Sequence, residues 1–231
     1  ESSNQDLLAP TKQEQDIELQ IDSASTENFN AIQLLLQTFF KQELYTDLQF
    51  EMADQISQLS ESTDVVYVDD SVVGFCSSIP FRLLPECKFV QHFIKVIAKF
   101  TPKDFLTGQN VHLVFNLKYI NLPVDISIQL YDSMLQNQVW TQSKQYNNAV
   151  YPADFFKVDL YVLISKCKAD KAGKPDLESV YHLEFLELKK EADQIEYVKT
   201  QTFDKEYQFN VFLIIKKEKL KSAVKTQTFD K

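Results

Sequence analysis

The chain has 231 residues, of which 44% are hydrophobic, and its formal net charge is −9. A chain of this length can bury one substantial core, and we expect one domain. Because no run of 18 apolar residues occurs, the sequence predicts no transmembrane helix. The polar and acidic N-terminal residues are not typical of a signal peptide.

Cysteine and glycine usage argues against several kinds of site. The three cysteines are far apart and include no Cys-x-x-Cys pair: Cys76, Cys87 and Cys167. This spacing favours free thiols in a reducing compartment over a disulfide scaffold or a cysteine zinc site. The three glycines are also far apart, so neither GxGxxG nor GxxxxGKS/T can be written. The sequence therefore excludes nucleotide binding by those two kinds of loop.

The charge is distributed unevenly along the chain. Residues 1–75 contain 15 Asp and Glu and two Lys, a net charge of −13. Residues 76–231 contain 18 acidic and 22 basic residues, a net charge of +4. An acidic surface repels nucleic acid and steers basic proteins towards it. A merely solubilising surface is equally acidic in some proteins, so charge alone leaves both interpretations open.

The first hundred residues predict a strand, two helices, a hairpin and a third helix. Residues 1–13 show no periodicity and predict a loose tail. Beyond them, two-residue alternation predicts strands, and apolar side chains three or four residues apart predict helices. The predicted elements are strand 17–22, helix 29–41 with Ser25 as its N-cap, helix 46–59, strand 65–68, a turn at 69–71, strand 72–79 and helix 89–100.

The middle of the chain predicts a strand that passes into a helix, and the other elements must pack around this unit. Residues 111–115 form a short apolar run, long enough only for a buried strand. From residue 122 to about Trp140 the apolar residues recur at helical spacing. Asn121 is a preferred N-cap, and Pro123 is tolerated in a first turn because its missing N–H needs no partner there. Trp140 belongs either to the core or to a contact surface.

The remaining residues predict three strands separated by polar turns. Residues 141–150 and 167–178 are predicted loops. The predicted strands are 155–166, with an apolar core at 160–164; 180–188, with His182, Glu184 and Glu187 on a solvated face; and 209–215. The lysine-rich residues 216–221 predict a solvated helix end.

An identical octapeptide occurs twice near the end of the chain. Val198–Lys205 and Val224–Lys231 both read VKTQTFDK. A tandem duplication and an error in the terminal sequence both account for the repeat, and we infer no function from it. We divide the chain into a tail at 1–13, an α/β domain at 14–222 and an uncertain tail at 223–231.

The predicted order of elements is β-α-α-β-β-α-β-α-β-β-β. This order is similar to the acetyltransferase fold of the GNAT superfamily. We therefore expect an α/β fold: a single domain with a GNAT acetyltransferase-like mixed sheet flanked by helices.

Five segments resemble the BCCIP family, called Bcp in fungi, and they occur in the family's order. The segments are 28–37, 73–75, 119–123 with a tyrosine downstream, 160–166 and 211–214. The family-signature positions in the third segment are Tyr119, Asn121, Pro123 and Tyr131. The preceding Asn116-Leu117-Lys118 departs from the family, which usually has a Ser-Glu-Arg-like triplet there.

The BCCIP resemblance implies a nuclear, non-enzymatic protein that shuttles to the cytoplasm. It implies a chaperone or adaptor in ribosome biogenesis that escorts a basic protein of the large ribosomal subunit. Links to nuclear export, DNA repair and the cell cycle are implied as well. The expected partner is thus a basic protein client bound by a monomer, with no cofactor, no direct nucleic-acid contact and no membrane. The acidic residues 1–75 suit such a client independently.

Two alternatives remain open: an active GNAT-type N-acetyltransferase, and a platform subunit of another nuclear assembly. The cofactor loop of the superfamily reads Arg/Gln-x-x-Gly-x-Gly/Ala, and the corresponding residues here are Arg82 to Cys87. Within them Pro85 lacks the N–H that a glycine would donate, and Glu86 would bring negative charge beside a pyrophosphate. Asn121 and Tyr131 resemble the superfamily's Asn and general-acid Tyr, although a helix cap and a core-edge aromatic explain them equally.

No catalytic, cofactor or metal site is predicted. The three histidines are scattered without a ligand pair at i, i+4. Three aspartates crowd the predicted hairpin and either form its turn or face a basic client: Asp64, Asp69 and Asp70.

Overall fold

A mixed β-sheet forms the middle layer of the fold, and helices pack on both of its faces. The structure is a computed structural model that describes residues 19–41, 44, 46–82, 87–119, 122–143, 145–200 and 208–229. Its strands are β1 (Leu19–Ser23), β2 (Thr63–Val68), β3 (Ser71–Pro80), β4 (Val111–Lys118), β5 (Leu160–Ala169), β6 (Pro175–Asp176), β7 (Gln194–Lys199) and β8 (Phe209–Lys216). Its helices are α1 (Phe29–Phe40), α2 (Thr46–Gln58), α3 (Lys88–Ile97), α4 (Val124–Thr141), α5 (Glu184–Glu191) and α6 (Lys217–Phe229). Short 3-10 turns occur at Thr26–Asn28, Ala153–Phe156 and Leu177–Ser179.

The sheet has one parallel strand pair at its centre. The strand order is β1-β2-β3-β4-β5-β8-β7, and β6 pairs with β5. β4 and β5 run parallel, with α4 in the connection between them, and the other pairs are antiparallel. The edge strand β1 is largely exposed, whereas β4 is buried along its whole length. The deepest part of the fold therefore lies at β4 and β5.

Neighbouring residues along the central strands face opposite cores. Phe115 and Val162 pack with α1, α2 and α3, whereas the adjacent Val114 and Tyr161 pack with α4, α5 and α6. This follows from the two-residue period of a strand. Because both faces are buried, the central strands are nearly continuous apolar runs in the sequence. Each large apolar side chain buried in either core contributes about 1.5–3 kcal/mol to folding.

The predicted α/β fold class is confirmed, and so is the hairpin at residues 65–79. β2 and β3 form the hairpin, with Asp69 and Asp70 at its tip. Their φ angles are 48° and 63°. A two-residue turn that matches the twist of its strands needs such left-handed conformations, which Asp adopts more readily than most residues. The first predicted strand is confirmed from Leu19 onward, and residues 17–18 lie outside the described residues.

The predicted strand at 180–188 is wrong. α5 begins at Glu184, after a 3-10 turn whose Glu178 N–H is capped by the Asp176 side chain over 3.0 Å. Phe185 and Leu188 are buried three residues apart, whereas Leu183 is 55% exposed. Three-residue spacing places two side chains on one helical face. β7, which the sequence analysis did not predict, occupies the sheet position beside β8.

The end of the chain is helical beyond the predicted boundary at 222/223. α6 continues through that boundary, and Ala223 and Val224 are buried in the core that α4 and α5 share. Residues 1–13 and Asn121 lie outside the described residues. α4 begins at Val124, directly after Pro123. In the described part of the chain no helix is long and apolar enough to cross a membrane.

Candidate functional site

β4 and β5 separate at their carboxyl ends. Their parallel pairing runs from Val111 and Leu160 to Val114 and Leu163, yet both strands continue for several residues beyond it. In open α/β sheets, ligands bind in the crevice outside the carboxyl ends of parallel strands. The space between these two strand ends, which we term the β4–β5 crevice, is therefore where this fold would hold a ligand.

The chain itself fills the β4–β5 crevice with the segment that precedes α5. The Tyr181 N–H donates over 2.7 Å to the carbonyl of Lys166, which lies beyond the part of β5 that pairs with β4. Ser165 Oγ lies 3.1 Å from His182 Nδ1. The His182 ring also stacks on Phe39 of α1, with 5.6 Å between ring centroids. Residues 181 and 182 thus connect β5 to α1 across the crevice.

Five polar side chains lie buried around this segment, and we term them the crevice cluster. They are Asn116, Lys118, Ser127, His182 and Glu184, each at most 5% exposed. Asn116 Nδ2 donates to the Ser127 carbonyl over 2.9 Å. Within the described part of the chain, Asn116 Oδ1, His182 Nε2 and both Glu184 carboxylate oxygens lack a hydrogen bond of good geometry. The Ser127 side chain nevertheless lies close enough to Glu184 to lower its pKa.

Burial controls the protonation of the crevice cluster. Burial raises the pKa of Glu184, and the Lys118 ammonium opposes that rise. Burial and the Lys118 charge together lower the pKa of His182 to about 3, so this ring is neutral at pH 7. The Lys118 ammonium thus partly offsets the burial of the Glu184 carboxyl group. A substrate would reach it only if the segment before α5 moved away.

A second buried polar network joins β3, β4, α4 and β5. Ser78 Oγ lies 2.8 Å from His112 Nδ1 and accepts from Gln138 Nε2 over 3.2 Å. Gln138 in turn accepts from the Tyr161 hydroxyl, and the Lys157 carbonyl accepts from His112 Nε2 over 3.0 Å. Burial lowers the pKa of His112 to about 3. Connected networks of this kind rigidify a core. No local sequence pattern marks this network, because its members lie on separate elements.

The family-signature positions do not form an exposed site. Tyr119 is half-buried after β4 and donates its N–H to the Val73 carbonyl over 3.1 Å. Pro123 is exposed at the start of α4. Tyr131 is buried on α4, and burial raises the pKa of its phenol well above the ordinary value. Asn121 lies outside the described residues.

The cysteines are free thiols, as predicted. Cys76 and Cys167 are buried, and Cys87 is half-buried at the N-cap of α3. Pro85 and Glu86, on which the comparison with an acetyltransferase cofactor loop rests, lie outside the described residues. Among the residues that the structure does describe, no three His, Cys, Asp or Glu side chains are grouped as a metal site would require.

The structure separates the three aspartates predicted to bind a partner. Asp69 and Asp70 are exposed at the hairpin tip, whereas Asp64 is buried near the other end of β2. Asn137 of α4 donates through Nδ2 to both carboxylate oxygens of Asp64, over 2.9 and 3.0 Å. Burial raises the pKa of Asp64 to about 6. The predicted grouping is therefore corrected: Asp64 joins α4 to β2 and does not belong to the exposed turn.

Comparison with known families identifies the chain's relatives. The BCCIP family model matches residues 14–194. The chain belongs to the BCCIP family. The crystal structure of BCP1 from Saccharomyces cerevisiae has a TM-score of 0.62 and 16% identity, covering 97% of this chain and 93% of that chain. The resemblance to the BCCIP family that the sequence segments indicated is thus confirmed.

Acetyltransferase structures are similar to this BCCIP-family chain at lower identity. An apo agmatine N-acetyltransferase variant has a TM-score of 0.51 and 8% identity, covering 86% of this chain and 99% of that chain. A GNAT-family acetyltransferase from Streptococcus pneumoniae has a TM-score of 0.44 and 9% identity, covering 85% and 97%. The likeness to the agmatine N-acetyltransferase concerns the fold alone and agrees with the acetyltransferase-like mixed sheet that the sequence predicted. A comparison with curated protein sequences gave no match.

Proposed function

We propose that this BCCIP-family chain is a non-enzymatic, protein-binding chaperone and adaptor of the nucleus that escorts a basic protein of the large ribosomal subunit. The observation that carries the proposal is the filled β4–β5 crevice. Tyr181 and His182 bind β5 beyond its pairing with β4, and the charged groups of the crevice cluster are buried beside them. A catalytic site has to admit its substrate to such groups. The outer surface is then what this fold offers to a partner.

The charge of that outer surface supports a basic client. In the first third of the chain, exposed acidic side chains occur on β1, the 3-10 turn before α1, α2 and the hairpin tip: Asp22, Glu27, Asp47, Asp69 and Asp70. Opposite charges steer two proteins towards each other and favour the correct partner. A ribosomal protein exposes basic RNA-binding surface before assembly, which an acidic escort neutralises.

Direct binding tests the proposal. The purified chain is titrated with individually purified basic proteins of the large ribosomal subunit, and a small neutral protein is the reference. At least one ribosomal protein should bind at low salt and stay soluble in the complex. The chaperone proposal fails if none binds more tightly than the reference. Captured nuclear complexes that lack ribosomal proteins would favour the platform-subunit alternative.

A pair of matched variants tests the hairpin tip. Replacing Asp69 and Asp70 by Asn removes two charges and retains a residue type that tolerates positive φ. This variant should associate several-fold more slowly with the client at low salt, and the difference should shrink at high salt. The control neutralises two exposed glutamates elsewhere, Glu178→Gln and Glu191→Gln. Equal slowing in both variants would show a general charge effect and no role for the tip.

Two further measurements test the other parts of the proposal. Calorimetric titration with acetyl-coenzyme A should give no saturable heat, whereas saturable binding would support the acetyltransferase alternative. A fluorescently tagged chain should accumulate in the nucleus, and exclusion from the nucleus would contradict the proposed location.

A further inference from the structure

An open groove lies where the end of β1 and the end of α2 meet the loop after α4. Its volume is about 500 Å³, and its lining residues come from three segments, 24–26, 57–61 and 148–151. Among the described residues that line the groove, Glu61 is the one that carries a charge, and none is a lysine or an arginine. A groove of this size takes one long side chain with part of its neighbours.

Two more acidic residues are neighbours of lining residues, and we term their positions the rim of the groove. Glu27 is exposed directly after the lining residue Thr26. Asp54 accepts a hydrogen bond of 2.9 Å from the side-chain amide of Gln58, another lining residue. The groove and its rim therefore present negative charge, which selects a cationic ligand and repels nucleic acid.

An exposed apolar surface adjoins the groove. Val139 and Trp140 at the end of α4 are 60% and 50% exposed, and Val150 in the groove wall is 72% exposed. The Trp140 ring is held edge-on by Tyr146 at a centroid distance of 5.0 Å, and Tyr146 packs on the buried Phe156 at 6.0 Å. A large aromatic side chain fixed in place yet open to solvent is typical of an interface hot spot.

Hydrogen bonds join this aromatic surface to the groove. The Tyr146 hydroxyl donates to the carbonyl of the lining residue Tyr151 over 2.6 Å. Asn148 donates to Glu61 over 2.5 Å and accepts from the Val150 and Tyr151 N–H groups over 2.8 and 3.1 Å. The loop is thus ordered before any partner arrives, which lowers the entropic cost of binding.

We propose that Trp140 and the groove described above, which we term the Glu61 groove, together bind an extended cationic segment of a protein. An arginine of that segment lies between the Trp140 ring and the Glu61 carboxylate, and an apolar neighbour of the arginine packs on Val139 and Val150. A guanidinium stacks on an aromatic face and pairs with a carboxylate, so it satisfies both features at once. The inference rests on the proposed function for its basic client, and it names the surface that the client occupies.

The experiment uses the full chain and a short synthetic peptide of alternating Arg and Leu, with a Glu–Leu peptide of equal length as the control. Trp140 is the only tryptophan, so its fluorescence reports binding at this surface directly. The Arg–Leu peptide should give a saturable change that weakens at high salt, and the Glu–Leu peptide should give none. Equal binding of a Ser–Leu peptide, or tighter binding of single-stranded RNA, would overturn the inference.

Variants locate the binding site by the anisotropy of a labelled Arg–Leu peptide. Trp140→Ala and Glu61→Gln should each weaken affinity about tenfold or more, and Trp140→Phe should recover most of the loss. Tyr197→Ala on the edge strand β7 and Glu191→Gln on α5 are the matched controls, expected to stay within about twofold. The inference is overturned if Trp140→Ala and Glu61→Gln both leave the affinity for the peptide unchanged. It is also overturned if the chain self-associates and Trp140→Ala abolishes that self-association.

Binding of the purified ribosomal client separates this inference from the proposed function. A client that binds wild type and Trp140→Ala equally well would overturn the inference and leave the chaperone proposal standing. Conversely, peptide binding that depends on Trp140 and Glu61 without binding of any ribosomal protein would support the surface and overturn the chaperone proposal.

Discussion

The side-chain amide of Asn137 on α4 lies against both carboxylate oxygens of Asp64 on β2, at 2.9 and 3.0 Å. Asn137 is half-buried whereas Asp64 is buried, and burial raises the pKa of Asp64 from 3.8 to about 6. The folded chain therefore holds a proton at Asp64 over a pH range in which the unfolded chain has lost it. Stability from this group is complete below pH 3.8 and is lost as the pH rises through about 6.

Replacing Asp64 by Asn should remove this pH dependence. An amide in place of the carboxyl can pair with Asn137 without any charge to bury. Relative to wild type, the free energy of unfolding of Asp64→Asn should therefore rise between pH 4 and pH 7 by about 2 kcal/mol. Urea unfolding of both proteins at several pH values measures this difference in free energy. Asp70→Asn at the exposed turn removes the same charge and serves as the control, which should keep the wild-type dependence of unfolding free energy on pH. If the two variants show the same pH dependence, the effect does not come from the burial of Asp64.

The crevice cluster should behave as a mutually compensating pair of charges. Lys118→Met leaves Glu184 buried without its cation, so we expect a loss of about 3 kcal/mol at pH 7. The loss should grow with pH, because Lys118 opposes the burial-induced rise in the pKa of Glu184. Adding Glu184→Gln to Lys118→Met should restore most of the stability, since no charge then remains unpaired. Strictly additive losses in the double-mutant cycle would show that the two groups are uncoupled.

Glu51 on α2 caps the N-terminus of α3. Its carboxylate oxygens accept from the backbone N–H groups of Lys88 and Phe89 over 3.1 and 2.9 Å. Glu51→Ala should cost about 1 kcal/mol of stability, because two N–H groups lose their acceptor and the helix dipole loses its negative partner. Amide exchange at residues 88–91 should speed up. Glu51→Gln keeps an acceptor and should lose less stability than Glu51→Ala. Equal losses of stability in the two variants would argue against capping by Glu51.

The repeated octapeptide supplies two valines in identical local sequence. Val224 is fully buried in α6, whereas Val198 is half-buried on the edge strand β7. Val224→Ala should cost about 2 kcal/mol, and Val198→Ala should cost clearly less. Thermal or chemical unfolding of the two variants measures the difference. Equal costs would mean that α6 does not pack on the core as described.

Sequence patterns predicted the elements whose environment is uniform. Apart from His112, residues 111–115 are apolar because β4 is buried on both faces. Asp69 and Asp70 mark a turn that needs positive φ. The pattern misled at 180–188, where Glu184 and His182 were expected on a solvated face. Both are buried, and a polar side chain in the sequence carries no mark of the neighbours that will enclose it. His182 is enclosed by Ser165 of β5 and Phe39 of α1, and Glu184 lies beside Lys118 of β4 and Ser127 of α4, on other elements of the chain.

The grouping of three aspartates at one turn was wrong for the same reason. Asp64, Asp69 and Asp70 are close in sequence, but β2 carries the first of them to the opposite end of the strand from the turn. The Glu61 groove had no sequence signature, since its walls come from three distant segments. Trp140 was recognisable as a residue of interest, and its 50% exposure places it outside the core.

By itself the sequence determined the family, the fold class and most of the strands and helices, because the period of apolar residues is a local property. Tertiary structure decided what the same residues become in different surroundings. The tripeptide Val-Lys-Thr at 198–200 ends β7, where β8 pairs with its backbone, and at 224–226 it lies within α6, packed on α4. Its intrinsic preference is too weak to choose between strand and helix. Pairing with β8 in one place and burial of Val224 in the other supply the difference.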